Sequence, residues 1–596
     1  MINVIMAIFS LIATMSLDQV LKTSDSGRDL SVSVLMIVVS VGIFLLIKAF
    51  WKIKNRRLVI ISAVFGFLFS VAMVFGKQLY NDDTIAFLRP STYFGILGFS
   101  IIAVSATGLC MYYFDSWVDK LRGTYIESVC MKATSNEKRF LIIVYILIIA
   151  VWGIGLMASY PGVFAYDSIY QIQYIESGPV TSHHPVLHTY ILGGLVKLGE
   201  SVFGSAEIGG CIYSLIQMTI MAGIFTYMIK RMKGLLPDVV RIIVAICFAV
   251  IPYNIILSFA ATKDTLFAGV IFLVFIRTYD LVQNKEKFFK SKRSMTSYIL
   301  LVFLMCALKN NGIYSFMVLA VILVLLIGKG YRVKSLIISC AVILIWNVYT
   351  GPIYGLIGVE SSYSLETINV PAQQLSRAMN HAPENISDED KQLIEEYVPD
   401  WRGYVPRISD NTKNTFNKTL YESDKAEFIK LWIRIGLDNP GIYIDAWASL
   451  SIGYWYTDMI YPDPGTYFPY LDYYNTDVSV VPNSQMYKQI GRATLFPKLS
   501  ERFEYFVNNV SEQNIPLYSL LFSPGIMFWI ICFAIVKLIY ERRYRLLIPL
   551  ALLLGLWLTL ILAPAMLFRY AYPLVIATPF VFAFMHLYDY NRLEGF

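Results

Sequence analysis

The sequence is poor in charged residues and shows no cysteine spacing typical of a disulfide framework or a metal site. Only 15% of its 596 residues are charged, whereas 57% are hydrophobic, and the mean hydropathy is +0.57. This composition excludes an ordinary soluble enzyme. The seven cysteines lie almost entirely in apolar runs, and residues 353–517 contain none. Internal repeats and low-complexity tracts are also missing.

What the chain does have is apolar runs from end to end. Because a helix needs about 20 apolar residues to cross a bilayer, we predict an all-α polytopic membrane protein with about 14 transmembrane helices. The first run lacks a basic start and a clear cleavage site, which indicates a retained span rather than a signal peptide. The predicted spans lie near residues 3–16, 31–50, 58–76, 93–114, 138–158, 206–229, 240–258, 262–278, 297–308, 312–328, 335–352, 518–536, 546–563 and 571–588.

Charge is distributed unevenly along the chain. Residues 353–517 hold 22 acidic and 13 basic residues, a net charge of −9, whereas the remainder has 36 basic and 20 acidic residues, a net charge of +16. This asymmetry predicts a water-facing acidic domain beside a membrane body with basic loops. The basic residues flank spans and form no separate soluble face, so we expect no nucleic-acid partner.

These features divide the sequence into four parts. The acidic domain is predicted to be mostly helical, because Ser387 is a good helix N-cap and apolar residues after Phe428 repeat at helical spacing. Tyr454 to Tyr474 is rich in aromatic residues and predicts loops that stack on sugars or lie on the membrane surface. The parts are accessory helices 1–137, a transmembrane core 138–352 with a first long loop 159–205, the acidic domain 353–517, and C-terminal helices 518–596.

Lysine and arginine cluster in alternate loops, as at residues 48–57, 285–293 and 542–545. The positive-inside rule assigns these loops to the cytoplasm, together with both termini. We therefore expect a multi-pass protein of the cell membrane. Its extracytoplasmic side then receives all the unusual polar motifs: the loop 159–205, the turns at Lys263, Lys309 and Arg569, and the acidic domain.

Asp167 follows directly after an apolar run that Pro161 and Gly162 bring to an end. An acid at this boundary has two interpretations. It could be the N-cap of a new helix, or it could be an active-site carboxylate at the membrane surface, with Tyr166 beside it. The gathering of polar turns on one side favours the active-site interpretation.

Lys263, Lys309 and Arg569 each lie at the outer end of a predicted span. Any one of them could simply extend its charge to the interface. Three basic side chains on the same side of the membrane fit a binding site for an anionic lipid headgroup better than three side chains that extend to the interface independently. Polar neighbours accompany them: Asp264, which could form a local ion pair with Lys263, together with Asn310, Asn311 and Tyr570.

His183 and His184 are adjacent, and adjacent side chains in extended backbone point in different directions, so we predict no metal site. They could bind substrate or orient Asp167, or they could be ordinary interface histidines. Gln374 and Arg377 open the acidic domain. Their helix could reach back over a membrane cavity, or it could be an ordinary amphipathic surface helix.

With these residues in place, the pattern resembles the GT-C superfamily of multi-spanning glycosyltransferases, which use lipid-phosphate-linked sugars. More closely, it looks like a poorly characterised group of Gram-positive bacterial membrane proteins. The resemblance covers about residues 138–590 and leaves the accessory helices outside. It rests on Tyr160-Pro161-Gly162, Tyr166-Asp167-Ser168, His183-His184-Pro185, Lys263-Asp264, Lys309-Asn310-Asn311-Gly312 and Phe568-Arg569-Tyr570.

The resemblance implies a GT-C-like fold and an enzyme that moves a sugar from a polyprenyl-phosphate donor to an extracytoplasmic cell-envelope glycan or a similar acceptor. It implies Asp167 as the catalytic base with inversion at the sugar, and basic residues that hold the phosphate. The superfamily's acid-x-acid pair is missing, which favours a metal-independent reaction of a monophosphate donor without a cofactor. The substrate-binding residues are then Tyr166, His183, His184, Lys263, Asp264, Lys309, Asn310, Asn311, Gln374, Arg377, Arg569 and Tyr570.

Three alternatives remain open. The first is a transporter or flippase of lipid-linked saccharides, although the sequence shows neither matching halves nor interrupted helices. The second is a ligase or polymerase that uses lipid diphosphates. The third is a scaffold that binds cell-wall polymer without chemistry. In every case the accessory helices 1–137 could dock a partner membrane protein or brace the core.

Overall fold

The computed structural model describes residues 1–21, 34–165, 167–362, 365–460, 490–509 and 517–586, together with residues 470, 471, 473, 513 and 515. Across these residues every regular element is a helix, and β pairing is limited to isolated bridges. The predicted all-α fold class is therefore confirmed.

The accessory helices and the core follow each other in chain order. The accessory helices are α1 (Ile2–Ser16), α2 (Leu35–Trp51), α3 (Arg56–Asp82), α4 (Pro90–Arg122) and α5 (Tyr125–Thr134). The core contains α6 (Glu137–Ala158), α7 (Asp167–Ser177), α8 (Val186–Phe203), α9 (Ala206–Arg231), α10 (Asp238–Val250), α11 (Pro252–Phe259), α12 (Lys263–Gln283), α13 (Lys285–Lys290), α14 (Lys292–Leu308), α15 (Gly312–Leu326), α16 (Arg332–Val348) and the short α17 (Tyr354–Leu356).

The acidic domain and the C-terminal part complete the chain. The acidic domain contains α18 (Asn369–His381), α19 (Asp388–Tyr397), α20 (Asp410–Asn414), α21 (Lys418–Ser423), α22 (Lys425–Asp438), α23 (Pro440–Ser451) and α24 (Pro497–Asn508). The C-terminal helices are α25 (Pro524–Tyr540), α26 (Leu547–Leu560) and α27 (Phe568–Met585).

The apolar helices are those of a multi-pass membrane protein. Within the described residues, eight helices are long and apolar enough to cross a membrane, and four shorter helices are also apolar. Each of the fourteen predicted spans overlaps at least one helix of the described residues, but the number of actual crossings stays a prediction. The eight long helices are α1, α3, α4, α6, α9, α12, α16 with its flanking turns, and α27.

One predicted span is broken. The apolar run over residues 240–258 predicts a single uninterrupted helix, but α10 and α11 meet at an angle of 55°. Pro252 explains the break, because a proline nitrogen has no hydrogen to donate to the preceding turn. Gln217 of α9 donates to the carbonyls of Leu257, Ser258 and Ala260, at 3.1, 3.1 and 2.7 Å. This side chain fixes the end of α11 and the start of the turn that leads to α12.

The helices α12 and α27 form the centre of the bundle. In each, 83% of the apolar window is buried, against 56% or less in the other long apolar helices. Their aromatic rings pack together, with ring centroids 6.1 Å apart for Phe272 and Phe580 and 5.7 Å apart for Phe275 and Phe584. The residues that begin these two helices are consequently held by the most buried long helices of the described structure.

The acidic domain has its own apolar core. As predicted, the Ser387 side chain caps α19 by accepting from the Asp390 amide, and Phe428 lies buried in α22. The prediction for the aromatic stretch is wrong where the structure describes it. Tyr454 and Tyr456 are only 1% and 0% exposed, so they cannot stack on a sugar. Residues 461–469, 472 and 474 of this stretch lie outside the described residues.

The acidic domain also binds the accessory helices. Arg407 donates to the carbonyls of Leu79 and Tyr80, at 3.1 and 3.0 Å. Arg377 donates to the carbonyl of Asp83. Both guanidinium groups are almost fully buried. They bind carbonyls at the C-terminal end of α3, one of which, that of Leu79, also accepts from the Asp83 amide at 3.1 Å.

A second group of buried charges attaches the accessory helices to the C-terminal part of the chain at the opposite end of the bundle. The side chain of Lys537 in α25 is fully buried, and its Nζ lies 2.8 Å from Asp115 of α4. Asp115 also accepts from the ring of His586, at 2.9 Å. A buried charge is costly without such partners, so the accessory helices are held at both ends.

Candidate functional site

The first long loop is fastened to the turn between α11 and α12. The Val163 amide donates to the Phe259 carbonyl at 3.2 Å, and the Val163 carbonyl accepts from the Ala261 amide at 2.8 Å. Lys263 begins α12, and Asp167 begins α7 four residues after Val163. This backbone pairing therefore brings the first residues of α7 and α12 together.

A glycine makes the close approach possible. Gly162 has a φ of +134°, and a Cβ atom there would lie 2.7 Å from the carbonyl oxygen of Phe259. Any other residue would force the loop away from α11. The Pro161-Gly162 dipeptide thus ends α6 and also permits the loop to pair with the turn.

Asp167 lies between two cations. Its carboxylate is 2.8 Å from Lys263 Nζ and 3.7 Å from Arg569 Nη1. The three side chains come from distant parts of the sequence and are 26%, 14% and 10% exposed, respectively. The carboxylate is therefore well held but still accessible from one side.

A second pair lies next to the first. Asp264 is 1% exposed, and its carboxylate is 2.5 Å from Lys309 Nζ and 3.7 Å from Arg569 Nη1. The Lys309 ammonium also lies 4.3 Å from the ring centroid of Tyr570, in a cation–π contact. Thr262 Oγ1 donates to Asp264 at 3.2 Å. Arg569 thus joins both carboxylates into one charge cluster, which consists of Asp167, Lys263, Asp264, Lys309 and Arg569.

The charge cluster carries three positive and two negative charges, an excess of one positive charge. Burial alone would raise the pKa of Asp167, but the charges of Lys263 and Arg569 outweigh it and hold that pKa well below its usual range. Asp167 is therefore ionised at neutral pH. The helix dipoles of α12 and α27 add further positive potential, because both helices begin at the cluster. The arrangement suits a singly charged anion.

The two histidines differ in exposure. His184 is 3% exposed, and its Nδ1 lies 3.4 Å from Lys263 Nζ. Burial and the charge of Lys263 lower its pKa to about 3, so the neutral ring accepts a hydrogen bond from the ammonium. The ring of His183 is exposed, with its centroid 4.6 Å from that of His184. Among the described residues no group of three or more His, Cys, Asp or Glu side chains could hold a metal ion.

A buried hydrogen-bond network beneath the cluster was missed in the sequence. His188 Nδ1 lies 3.1 Å from Gln171 Oε1, and His188 Nε2 lies 2.8 Å from the hydroxyl of Tyr213. That hydroxyl donates to Gln217, the residue that fixes the end of α11. Gln171 lies one helical turn after Asp167. The network therefore connects the helix that carries Asp167 to the turn that carries Lys263.

Two predicted substrate-binding residues, Gln374 and Arg377, have hydrogen-bond partners outside the charge cluster. Gln374 donates to the Tyr443 carbonyl at 3.0 Å and accepts from Trp432 at 2.8 Å. Arg377 binds the end of α3 and lies 3.6 Å from Asp445. Gln374 thus binds within the acidic domain and Arg377 binds the end of α3, so the structure does not bring these side chains to the cluster.

The remaining predicted site residues either lie near the cluster or are not among the residues that the structure describes. Asn310 and Asn311 follow Lys309 in the turn before α15, with half-buried side chains. Tyr570 contacts Lys309 as described. Tyr166 lies outside the described residues.

Fold and site together define an all-α protein with the helices of a multi-pass membrane protein and a charge cluster where three helices begin. The chain belongs to DUF6020, a family of unknown function whose model matches residues 175–594. The match contains four residues of the charge cluster and begins eight residues after Asp167. Comparison with curated proteins and with solved structures gave no match.

Proposed function

We propose that this protein is a GT-C-type membrane glycosyltransferase. It transfers a sugar from a polyprenyl-phosphate donor to an extracytoplasmic cell-envelope glycan or a similar acceptor, without a metal and with inversion at the sugar. In this proposal about 14 helices cross the bilayer, both termini are cytoplasmic, and the charge cluster faces outward, as the distribution of lysine and arginine favours.

The observation that carries the proposal is the charge balance of the cluster. A sugar linked to a lipid through one phosphate has one negative charge, which matches the single positive excess. During transfer the acceptor oxygen bonds to the anomeric carbon, and the bond from that carbon to the phosphate oxygen breaks. The acceptor proton moves to Asp167 while the released lipid phosphate gains a second negative charge. The cluster gains one positive charge in the same step, so the site remains neutral throughout.

This balance favours a monophosphate over a diphosphate donor. A sugar linked through a diphosphate carries two negative charges and leaves with three, which the cluster could neutralise only with a metal ion or another cation. Preorganised cations that meet a developing charge stabilise the transition state without reorganisation. Lys263 and Arg569 are placed for that role at the start of the two most buried long helices, α12 and α27, and Lys309 at the end of α14.

Donor binding would also activate the base. In the described structure Lys263 and Arg569 hold the Asp167 carboxylate, which depresses its pKa and makes it a weak base. An incoming phosphate competes for the same two cations. As they turn toward the phosphate, the pKa of Asp167 rises, and the carboxylate becomes free to take a proton.

The test uses purified protein and a polyprenyl-phosphate sugar labelled in the sugar. A transferase releases free polyprenyl phosphate and transfers label to isolated cell-envelope glycan. A flippase moves the lipid across a proteoliposome membrane and leaves it intact, which would reject the proposal. Turnover of the corresponding diphosphate donor alone would support a ligase or polymerase instead.

A further inference from the structure

The C-terminal half of α4 carries an apolar groove. Its volume is about 420 Å³, and Leu46 of α2 lines one side of it. The rest of the lining comes from α4 itself, from residues that recur at helical spacing and therefore lie on one face of the helix. These residues are Ala106, Leu109, Cys110, Tyr113, Trp117 and Lys120.

The groove begins where α1 and α2 stop covering this face of α4. In the preceding turns Gly95 lies directly against Gln19, since a Cβ atom there would be 2.7 Å from the Gln19 Cβ, and Ile102 packs on the apolar cluster of α1 and α2. From Ala106 to Lys120 the helix rises about 21 Å. The hydrocarbon core of a bilayer is about 30 Å thick, so the groove is as long as one leaflet with its headgroup layer.

The lining changes from apolar to charged toward the end of α4. Ala106 and Leu109 form the deep part. Tyr113 and Trp117 follow, with ring centroids 6.1 Å apart and with 40% and 48% of their surfaces exposed. Aromatic side chains of this kind concentrate at the level of the lipid headgroups. Lys120 lies at the outer end of the groove, so the order of the lining matches the chain, the glycerol and the phosphate of one phospholipid.

The charge at this end of the groove is positive. Besides Lys120, Lys52 follows the last residue of α2. The two acids at the same end of α4 face other partners: Asp115 lies 2.8 Å from a lysine of α25, and Asp119 lies 3.3 Å from the histidine that follows α27. Neither acid lines the groove. A basic rim of this kind favours an anionic headgroup over a zwitterionic one.

We propose that this groove binds one anionic phospholipid of the cytoplasmic leaflet, with an acyl chain against Ala106 and Leu109 and the phosphate at Lys120. A transmembrane helix of a partner fits less well, because it needs a contact face across the whole hydrocarbon core, whereas the groove ends at Ala106. The inference goes beyond the proposed function and shares with it only the orientation in the membrane. Failure of the transferase assay would therefore leave the lipid site standing.

The experiment measures lipid binding at Trp117. Purified full-length protein in detergent is titrated with phosphatidylglycerol or phosphatidylcholine whose chains are brominated near the headgroup, because bromine quenches a tryptophan that it contacts. The signal of Trp117 is the difference between each protein and the same protein with Trp117→Phe. One lysine near an anionic headgroup contributes about fivefold in affinity. Phosphatidylglycerol should therefore bind about fivefold more tightly than phosphatidylcholine, and Lys120→Gln should remove this preference.

Two further variants complete the test. Lys132→Gln makes the same charge change at an exposed position of α5 and should leave the preference within twofold of the wild type. Ala106→Phe fills the deep end of the groove without a change of charge and should weaken the binding of both lipids severalfold. Equal binding of the two lipids to the wild type, or a preference that survives Lys120→Gln, would overturn the site. Quenching by neither lipid would also overturn it and would indicate that protein covers Trp117 instead.

Discussion

Replacing Asp167 with asparagine is the most informative perturbation of the charge cluster. The change preserves the size of the side chain but removes the group that would accept the proton. Loss of a positioned general base lowers the rate of a proton-transfer reaction by about 10²- to 10⁴-fold. We therefore expect the transfer rate to fall by that factor, with the fold and the donor site intact.

Donor affinity should respond in the opposite direction. Asp167→Asn changes the net charge of the cluster from +1 to +2, and it removes a competitor for Lys263 and Arg569. One charge at about 8 Å and an effective dielectric constant of about 20 contributes about 2 kcal/mol. Because the Asp167 side chain is 26% exposed, screening reduces this to about 1 kcal/mol, or roughly fivefold tighter donor binding.

The assay combines single-turnover transfer with donor binding in detergent. Asp82→Asn is the control, because this acid lies exposed at the end of α3, away from the cluster. Transfer by Asp167→Asn above one tenth of the wild-type rate would refute the base assignment. A loss of donor binding would show instead that the carboxylate is required to hold the two cations in place.

Three further predictions concern buried charges. Asp264→Asn leaves the Lys309 charge uncompensated and should destabilise the fold by about 3–5 kcal/mol, which is measured as a lower Tm in detergent. The double variant with Lys309→Met should recover most of the lost stability. A wild-type Tm for Asp264→Asn alone would contradict the role of the ion pair. Arg569→Lys keeps the charge but loses the guanidinium group, whose Nη1 lies 3.7 Å from both carboxylates, so transfer should fall at least tenfold, and unchanged transfer would show that charge alone matters. Burial raises the pKa of Asp445 to about 6, so the folded state binds this proton more tightly than the unfolded chain, and stability should fall as pH rises from about 4 to 6. Asp445→Asn should flatten that slope in melts between pH 4 and 7, and an unchanged slope would exclude this residue as its source.

Helix positions could be predicted because a bilayer demands long apolar segments, and such segments are visible in any sequence. The break at Pro252 was missed because apolar residues lie on both sides of it, and hydropathy does not register a missing amide hydrogen. Tyr454 and Tyr456 were misjudged for a related reason. An aromatic residue can face a sugar, a lipid or a protein core, and only tertiary packing decides between them.

The cations of the cluster could be predicted because a charge at the end of an apolar run stands out. The network of Gln171, His188 and Tyr213 could not, because these side chains are ordinary in amphipathic helices until the fold pairs them. Which of the two interpretations of the Arg377 helix applies could not be predicted, since helical periodicity shows which face is covered but not by which neighbour.

The arginines that bind the end of α3 limit how this protein can be divided. The family match begins at residue 175, which suggests an independent unit, yet Arg377 and Arg407 within it find their acceptors in residues 79–84. A truncated chain that starts at the match would expose or strand two guanidinium groups, at a cost of several kcal/mol. Expression of the matched region alone should therefore give aggregated material, whereas co-expression with residues 1–174 as a separate polypeptide should rescue it.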